Sequence, residues 1–224
     1  MKKMILLLPF IFTFFSCSTG KFMLKDKDRI IFFGDSITQM AVKPNGYISL
    51  IKDSLSKSNP SVEIIGAGIS GNKVTDLQAR VVRDIISENP SIVFIYIGIN
   101  DVWHSITPGL HGTTKDQYEA GLKEIIEKIK NAGARVILCT PSVIGEKRNG
   151  TNKIDQMLDE YAEISRKVAS ETGIQLCDLH KDFIDYIAAN NPGDKEKGIL
   201  TADGVHLNDA GNQFVAKEML KMLE

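Results

Sequence analysis

Three side chains in this sequence have the types and settings to share one proton-transfer task. Ser36 stands in I-I-F-F-G-D-S-I-T, where an apolar strand turns toward a helix, and the carboxyl edge of a parallel strand is where open α/β sheets bind ligands. A serine so placed has the position of a nucleophile and needs a base. Four histidines are available: His104, His111, His180 and His206. His206 lies in T-A-D-G-V-H-L-N, three residues after Asp203. That separation lets the carboxylate reach Nδ1, fix the tautomer and leave Nε2 free to take a proton from Ser36. A bare D-x-x-H also occurs as a turn with a solvated histidine. Another strand-like run ends in I-G-I-N-D, and Asn100 there can project its amide into a site as an oxyanion donor or form an Asx-turn that leaves the strand.

A second glycine-rich stretch suggests different chemistry. Residues 62–74 read V-E-I-I-G-A-G-I-S-G-N-K-V, so Gly66, Gly68 and Gly71 imitate the dinucleotide fingerprint G-x-G-x-x-G. In a dinucleotide fold that fingerprint follows the first strand, with an acidic residue about 20 positions on at the end of the second. Here it follows the second strand, and the acidic residue near that offset, Asp84, falls inside the helical pattern V-V-R-D-I-I. No cofactor is expected. Nor is a metal, since the chain has neither H-E-x-x-H nor paired C-x-x-C ligands.

The elements that must position these residues are legible as alternating patterns. Five β-branched runs, at 29–33, 62–66, 92–97, 135–140 and 174–178, read as strands. Between and after them, apolar stripes at helical spacing involve Tyr47, Leu50, Ile51 and Leu55; Tyr118, Leu122, Ile125, Ile126 and Ile129; Ile154, Met157, Tyr161, Ile164 and Val168; and Phe214, Val215, Met219 and Leu220. Gly133 and Gly173 stand where helices stop. Strands that are apolar throughout and alternate with helices predict a parallel sheet covered on both faces. Loops are expected at 101–116, 141–151 and 190–202. Cys139 and Cys177 fall inside apolar strand runs and read as free, packed thiols rather than a disulfide.

Composition restricts the partners. With 43% hydrophobic and 25% charged residues the chain has the make-up of a globular domain with a substantial core. Its formal charge of −1 gives no reason to expect nucleic acid. At the N-terminus, basic Lys2 and Lys3 precede the almost wholly apolar Met4–Phe15, a run too short for a membrane span of roughly 20 residues. It reads as an export signal. With Cys17 at its end it resembles a bacterial lipoprotein signal, which implies lipidation of Cys17 and a cell-envelope location. Phe14 and Phe15 depart from the usual Leu and small residues, so cleavage near Ser18 is the alternative. The expected organisation is an export signal at 1–17, a polar tether at 18–28 and a catalytic domain at 29–224, with the membrane reached only through the N-terminal lipid.

Taken together, Gly34-Asp35-Ser36, Gly71, Gly98-Ile99-Asn100-Asp101 and Asp203-Gly204-Val205-His206 resemble the four blocks of the SGNH or GDSL hydrolase superfamily, in order and across residues 30–215. The resemblance implies a flavodoxin-like three-layer α/β/α sandwich with a five-stranded parallel sheet of order 2-1-3-4-5. It also implies a Ser36-His206-Asp203 triad and an oxyanion hole made of the Ser36 N–H, the Gly71 N–H and the Asn100 side chain. The expected activity is serine ester hydrolysis of a small-molecule or polysaccharide substrate, most simply removal of O-acetyl groups from carbohydrate. A lysophospholipase- or thioesterase-type acylhydrolase and a catalytically silent glycan-binding module are the rival readings. Asp35 and Asp101 are assigned to turns. Asp35, Trp103 and His104 are also candidates for substrate contact, Trp103 by stacking on a sugar face or by capping the core. His180, just after the fifth strand, reads as structural.

Overall fold

A computed structural model describes residues 24–224, so the export segment and Cys17 lie outside the described residues. Five strands, β1 (Arg29–Gly34), β2 (Glu63–Gly68), β3 (Ile92–Tyr96), β4 (Arg135–Cys139) and β5 (Gln175–Cys177), form one parallel sheet in the order β2-β1-β3-β4-β5. β3 is buried along its whole length and β1 from Ile30 onward, which is why their sequences are apolar on both faces. β2 is an edge strand and is only half covered.

The helices are α1 (Ser36–Met40), α2 (Tyr47–Ser58), α3 (Val74–Asp84), α4 (Ile99–Ile106), α5 (Lys115–Asn131), α6 (Asp155–Thr172), α7 (Leu179–Asn190) and α8 (Asp209–Lys221). On one side α3, α5 and α6 pack in succession, and on the other α2 packs against α8. Phe183 of α7 meets Phe214 of α8 edge to face at 5.3 Å. The α5 stripe is buried as expected. Its start is fixed by a capping box in which Thr114 Oγ1 accepts from the Gln117 N–H while Gln117 Oε1 accepts from the Thr114 N–H. Gly173 ends α6 in the left-handed conformation (φ 65°).

Two helices occupy stretches without a helical expectation. The 101–116 loop is helical as far as Ile106, because Ile99 and Val102 turn inward. In α7, Leu179, Phe183 and Ile187 carry a buried stripe, and the Asp178 carboxylate caps it by accepting from the Lys181 N–H at 3.3 Å. That stripe is legible in hindsight, but it begins directly at the end of a strand with no intervening turn residue.

Behind the site the core is aromatic. Phe32 of β1 stacks on Phe94 of β3 at 4.9 Å, and Tyr47 of α2 meets Phe32 edge-on at 5.9 Å. Tyr47 also donates its hydroxyl to Thr38 Oγ1 at 2.9 Å, and its backbone N–H donates to Asn212 Oδ1 at 2.9 Å, joining α1, α2 and α8. Cys139 and Cys177 are paired in register on β4 and β5, buried and free.

The glycines of G-A-G lie within β2 rather than in the turn that leaves it. A Cβ on Gly68 would sit 2.1 Å from the Gln39 nitrogen and 2.7 Å from the Asp35 carbonyl oxygen. The absent side chain is what lets the backbone of α1 press against the sheet edge. Gly68→Ala is therefore expected to cost about 1–3 kcal/mol in urea denaturation, the usual range for overpacking, and to displace α1 from the sheet edge. Wild-type stability in this variant would show that α1 is not seated on Gly68.

Candidate active site

Ser36 is the first residue of α1, immediately beyond β1. The turn is held by Asp35, whose carboxylate accepts from the Ile37 N–H at 2.9 Å and caps the helix. Half-buried Ser36 points its Oγ at His206 Nε2, 3.0 Å away. On the other side of the ring, His206 Nδ1 lies 2.7 Å from Asp203 Oδ2. A carboxylate only accepts, so Nδ1 carries the hydrogen and Nε2 presents its lone pair to the Ser36 hydroxyl. Asp203 Oδ1 also accepts from the backbone N–H groups of Val205 at 2.9 Å and His206 at 2.7 Å. Partial burial works against ionisation of Asp203, but the His206 side chain and these two amides outweigh it and hold the carboxyl below its usual range.

Asn100 and Gly71 enter from the neighbouring loops. Asn100, in the first turn of α4, is nearly fully buried and donates one amide hydrogen to the Asn72 carbonyl at 3.0 Å. Its NH₂ group has a second donor. Gly71, one residue before Asn72, has φ +79° and no atom within 4 Å of where a Cβ would stand. Asp101 shapes this region: its carboxylate accepts from the Val74 N–H at 3.1 Å and from the Thr113 hydroxyl at 2.6 Å, pinning the starts of α3 and α4 together. Burial raises its pKa to about 6 against the pull of those bonds.

Arg80, an ordinary helix arginine by its sequence setting, belongs to this framework. It is buried on α3, and its guanidinium donates to Gly34 O (2.8 Å), Ala67 O (3.0 Å), Asn72 Oδ1 (2.7 Å) and Asp84 Oδ2 (3.0 Å). It therefore ties together the ends of β1 and β2 and the residue that holds Asn100. The signal was present: an arginine on the same face of α3 as buried Leu77 and Val81. Asp84, at the offset of a ribose ligand, is instead engaged by Arg80 and Arg83.

The remaining candidates separate by burial. Asp35 is 2% exposed, so its carboxylate serves the turn and does not face solvent. Trp103 is half-buried against the core and lines an open cleft of about 410 Å³ with Ile144, Gly145, Lys147, Asn152 and Asp203. His104 is half-buried, and desolvation followed by the Lys73 cation pushes its pKa down. His111 is exposed. His180 is buried between Ser142 O (2.5 Å from Nδ1) and Asp159 Oδ1 (2.7 Å from Nε2), a bridge between the β4–α6 loop, α6 and α7. Among the described residues no group of three or more His, Cys, Asp or Glu could hold a metal ion.

The family model described as GDSL-like lipase/acylhydrolase matches residues 32–214. The chain belongs to that family. This GDSL-family member is a carboxylic ester hydrolase. It is 29% identical over 210 residues to an acetylxylan esterase of Geobacillus stearothermophilus, covering 87% of this chain and 93% of that one. An isoamyl acetate-hydrolyzing esterase 1 homolog of Mus musculus is 26% identical over 219 residues, covering 88% and 81%. Among solved structures, the acetyl xylan esterase AlAXEase superposes with a TM-score of 0.85 at 44% identity, covering 88% of this chain and all (100%) of that one.

Asp35 gives the GDSL-family site a pH signature. Desolvation, opposed by the Ile37 amide and reinforced by the nearby Asp101 charge, raises its pKa to about 7. In the unfolded chain an aspartate titrates near ~3.9. The folded state thus binds this proton more tightly, and the stability it contributes is complete below about pH 4 and lost as pH rises to about 7. Asp35→Asn keeps the oxygen that caps α1 and removes the titration. Its stability relative to wild type is expected to rise across that window, by up to ~1.4 kcal/mol per pH unit. Urea denaturation at a series of pH values checks this, and parallel curves for the two proteins would refute it.

Proposed function

We propose that this protein is a serine acetylesterase that removes O-acetyl groups from carbohydrate. The observation that carries the proposal is the Ser36–His206–Asp203 chain of contacts, 3.0 Å and 2.7 Å, at the carboxyl edge of β1. In this reading His206 Nε2 takes the Ser36 proton as Oγ attacks the ester carbonyl carbon. The negative charge that develops on the carbonyl oxygen is met by the N–H groups of Ser36 and Gly71 and by the Asn100 amide. His206 then returns the proton to the departing sugar oxygen. A water molecule, deprotonated by the same imidazole, attacks the acetyl-enzyme and releases acetate.

Support for an acetyl group on carbohydrate comes from the two acetylxylan esterases, which cover 87% and 88% of this chain. The cleft beside Asp203 combines Trp103, a surface for a sugar ring, with the hydrogen-bonding Asn152 and Lys147. An exported enzyme, held at the cell envelope by lipid on Cys17, is part of the proposal. A relative at 24% identity, from Bacillus subtilis (strain 168), is named an uncharacterized lipoprotein, YqeF.

The test is turnover of p-nitrophenyl esters of increasing chain length and release of acetate from acetylated xylan. Ser36→Ala is expected to lose on the order of 10⁶-fold in kcat and Asn100→Ala on the order of 10²- to 10³-fold, with acetate preferred over longer acyl groups. A preference for long chains would point to a lipolytic enzyme, and no turnover on any ester would point to a binding module.

A further inference from the structure

Glu146 lies in the loop between β4 and α6, in the polar run E-K-R-N-G-T-N, yet it is completely buried (0% exposed). A carboxylate in such a place is tolerated only if its oxygens are paired. Oε1 accepts from the backbone N–H groups of Leu200 (2.6 Å) and Thr201 (2.7 Å), and Oε2 from that of Ile199 (2.7 Å). Three consecutive amides converge on one anion, the arrangement of an anion-binding nest. Its occupant is a side chain supplied from 53 to 55 positions away in the chain. The bonds are as short as charge-assisted hydrogen bonds are expected to be.

Those amides form the neck of the loop that carries Asp203 and His206. Thr201 and Leu207 make an antiparallel bridge, the Ala202 N–H donates to His206 O at 2.8 Å, and the Asn208 N–H donates to Leu200 O at 3.0 Å. The Thr201 hydroxyl oxygen accepts from the Gly204 N–H at 3.1 Å. Further ties run between the same two segments: Gly145 N–H to Gly204 O at 2.7 Å, Glu146 N–H to Glu196 O at 2.9 Å, and Asn191 Nδ2 to Glu146 O at 2.7 Å.

We infer that Glu146 is a positioning residue of the active site. Its carboxylate fixes the neck of the Asp203–His206 loop and so keeps His206 Nε2 within reach of Ser36 Oγ. An apolar side chain of the same size would fill the space but leave three N–H groups unpaired in a dry interior. Glutamine would keep one oxygen for two of the amides and turn an NH₂ group against the third.

The activity readout rests on the esterase reading, so the test pairs it with one that does not. Glu146→Gln is expected to lower kcat on p-nitrophenyl acetate on the order of 10²-fold, as for a small misplacement of reacting groups. KM should stay within about threefold, since substrate contacts are untouched. Far-UV circular dichroism at the assay temperature should match wild type. In NMR spectra the His206 Nδ1–H resonance should shift or broaden, reporting a loosened contact with Asp203. Glu127→Gln, on the exposed side of α5, should match wild type throughout. Unchanged kcat and an unchanged resonance would overturn the inference, as would a loss of kcat that merely follows the unfolded fraction. If wild type hydrolysed no ester, or if Ser36→Ala retained full turnover, the esterase reading would fall, and the His206 resonance would still decide the role of Glu146.

Discussion

Ser36 and His206 are 170 positions apart in the chain, and their side chains meet at 3.0 Å. Hydrogen bonds weaken steeply with misalignment, so the two ends must be held independently and rigidly. The serine end is fixed by the buried register of β1 between β2 and β3, by the seat of α1 on Gly68, and by the Asp35 cap. The histidine end hangs from the last loop, whose neck is fastened to the β4–α6 loop. A parallel sheet of this order brings the loops after β1 and β3 side by side, and that is where Ser36 and Asn100 stand.

Behind the surface groups lies a layer of buried polar side chains that bond mainly to backbone. Arg80 holds carbonyls at the ends of β1 and β2, Asp101 holds the first amide of α3, and Glu146 holds three amides of the final loop. A cluster of this kind is unfavourable in transfer terms, and the raised pKa values of Asp35 and Asp101 are its physical trace. It offers direction in return, since each bond fixes a loop where hydrophobic packing, which is non-directional, would leave it free to slide.

Much of this was legible in the sequence because it rests on short-range patterns. β1, β3 and β4 follow from runs buried on both faces, β2 and β5 from their β-branched runs, and α5 and α6 from apolar stripes bounded by glycine stops. Asp203 and His206 are three residues apart, so their contact is local and readable as a spacing. Other features depend on what a side chain meets after folding. Glu146 sits in a run whose composition reads as solvent-facing, and nothing nearby in sequence reveals the amides it will meet. Gly68 imitated a cofactor fingerprint, and its reason, the backbone of α1 lying against it, comes from a neighbouring element. α4 and α7 carry no helical expectation because α4 has only two fully buried apolar positions, Ile99 and Val102, and α7 begins directly at a strand end with no turn residue to mark its start.

Placing Asp203 and His206 on one short loop has a consequence for how such a protein diversifies. The two groups travel together as a cassette: their contact is local, with the Asp203 carboxylate also on the amides of Val205 and His206, while the neck on which the cassette stands is fastened from the β4–α6 loop. Exposed Lys153, which borders the cleft and makes none of these bonds, can therefore change charge without altering the Asp203–His206 contact. The lining of the cleft and the Asp203–His206 contact are thereby open to separate change, in keeping with relatives whose names differ in substrate, acetylxylan and isoamyl acetate.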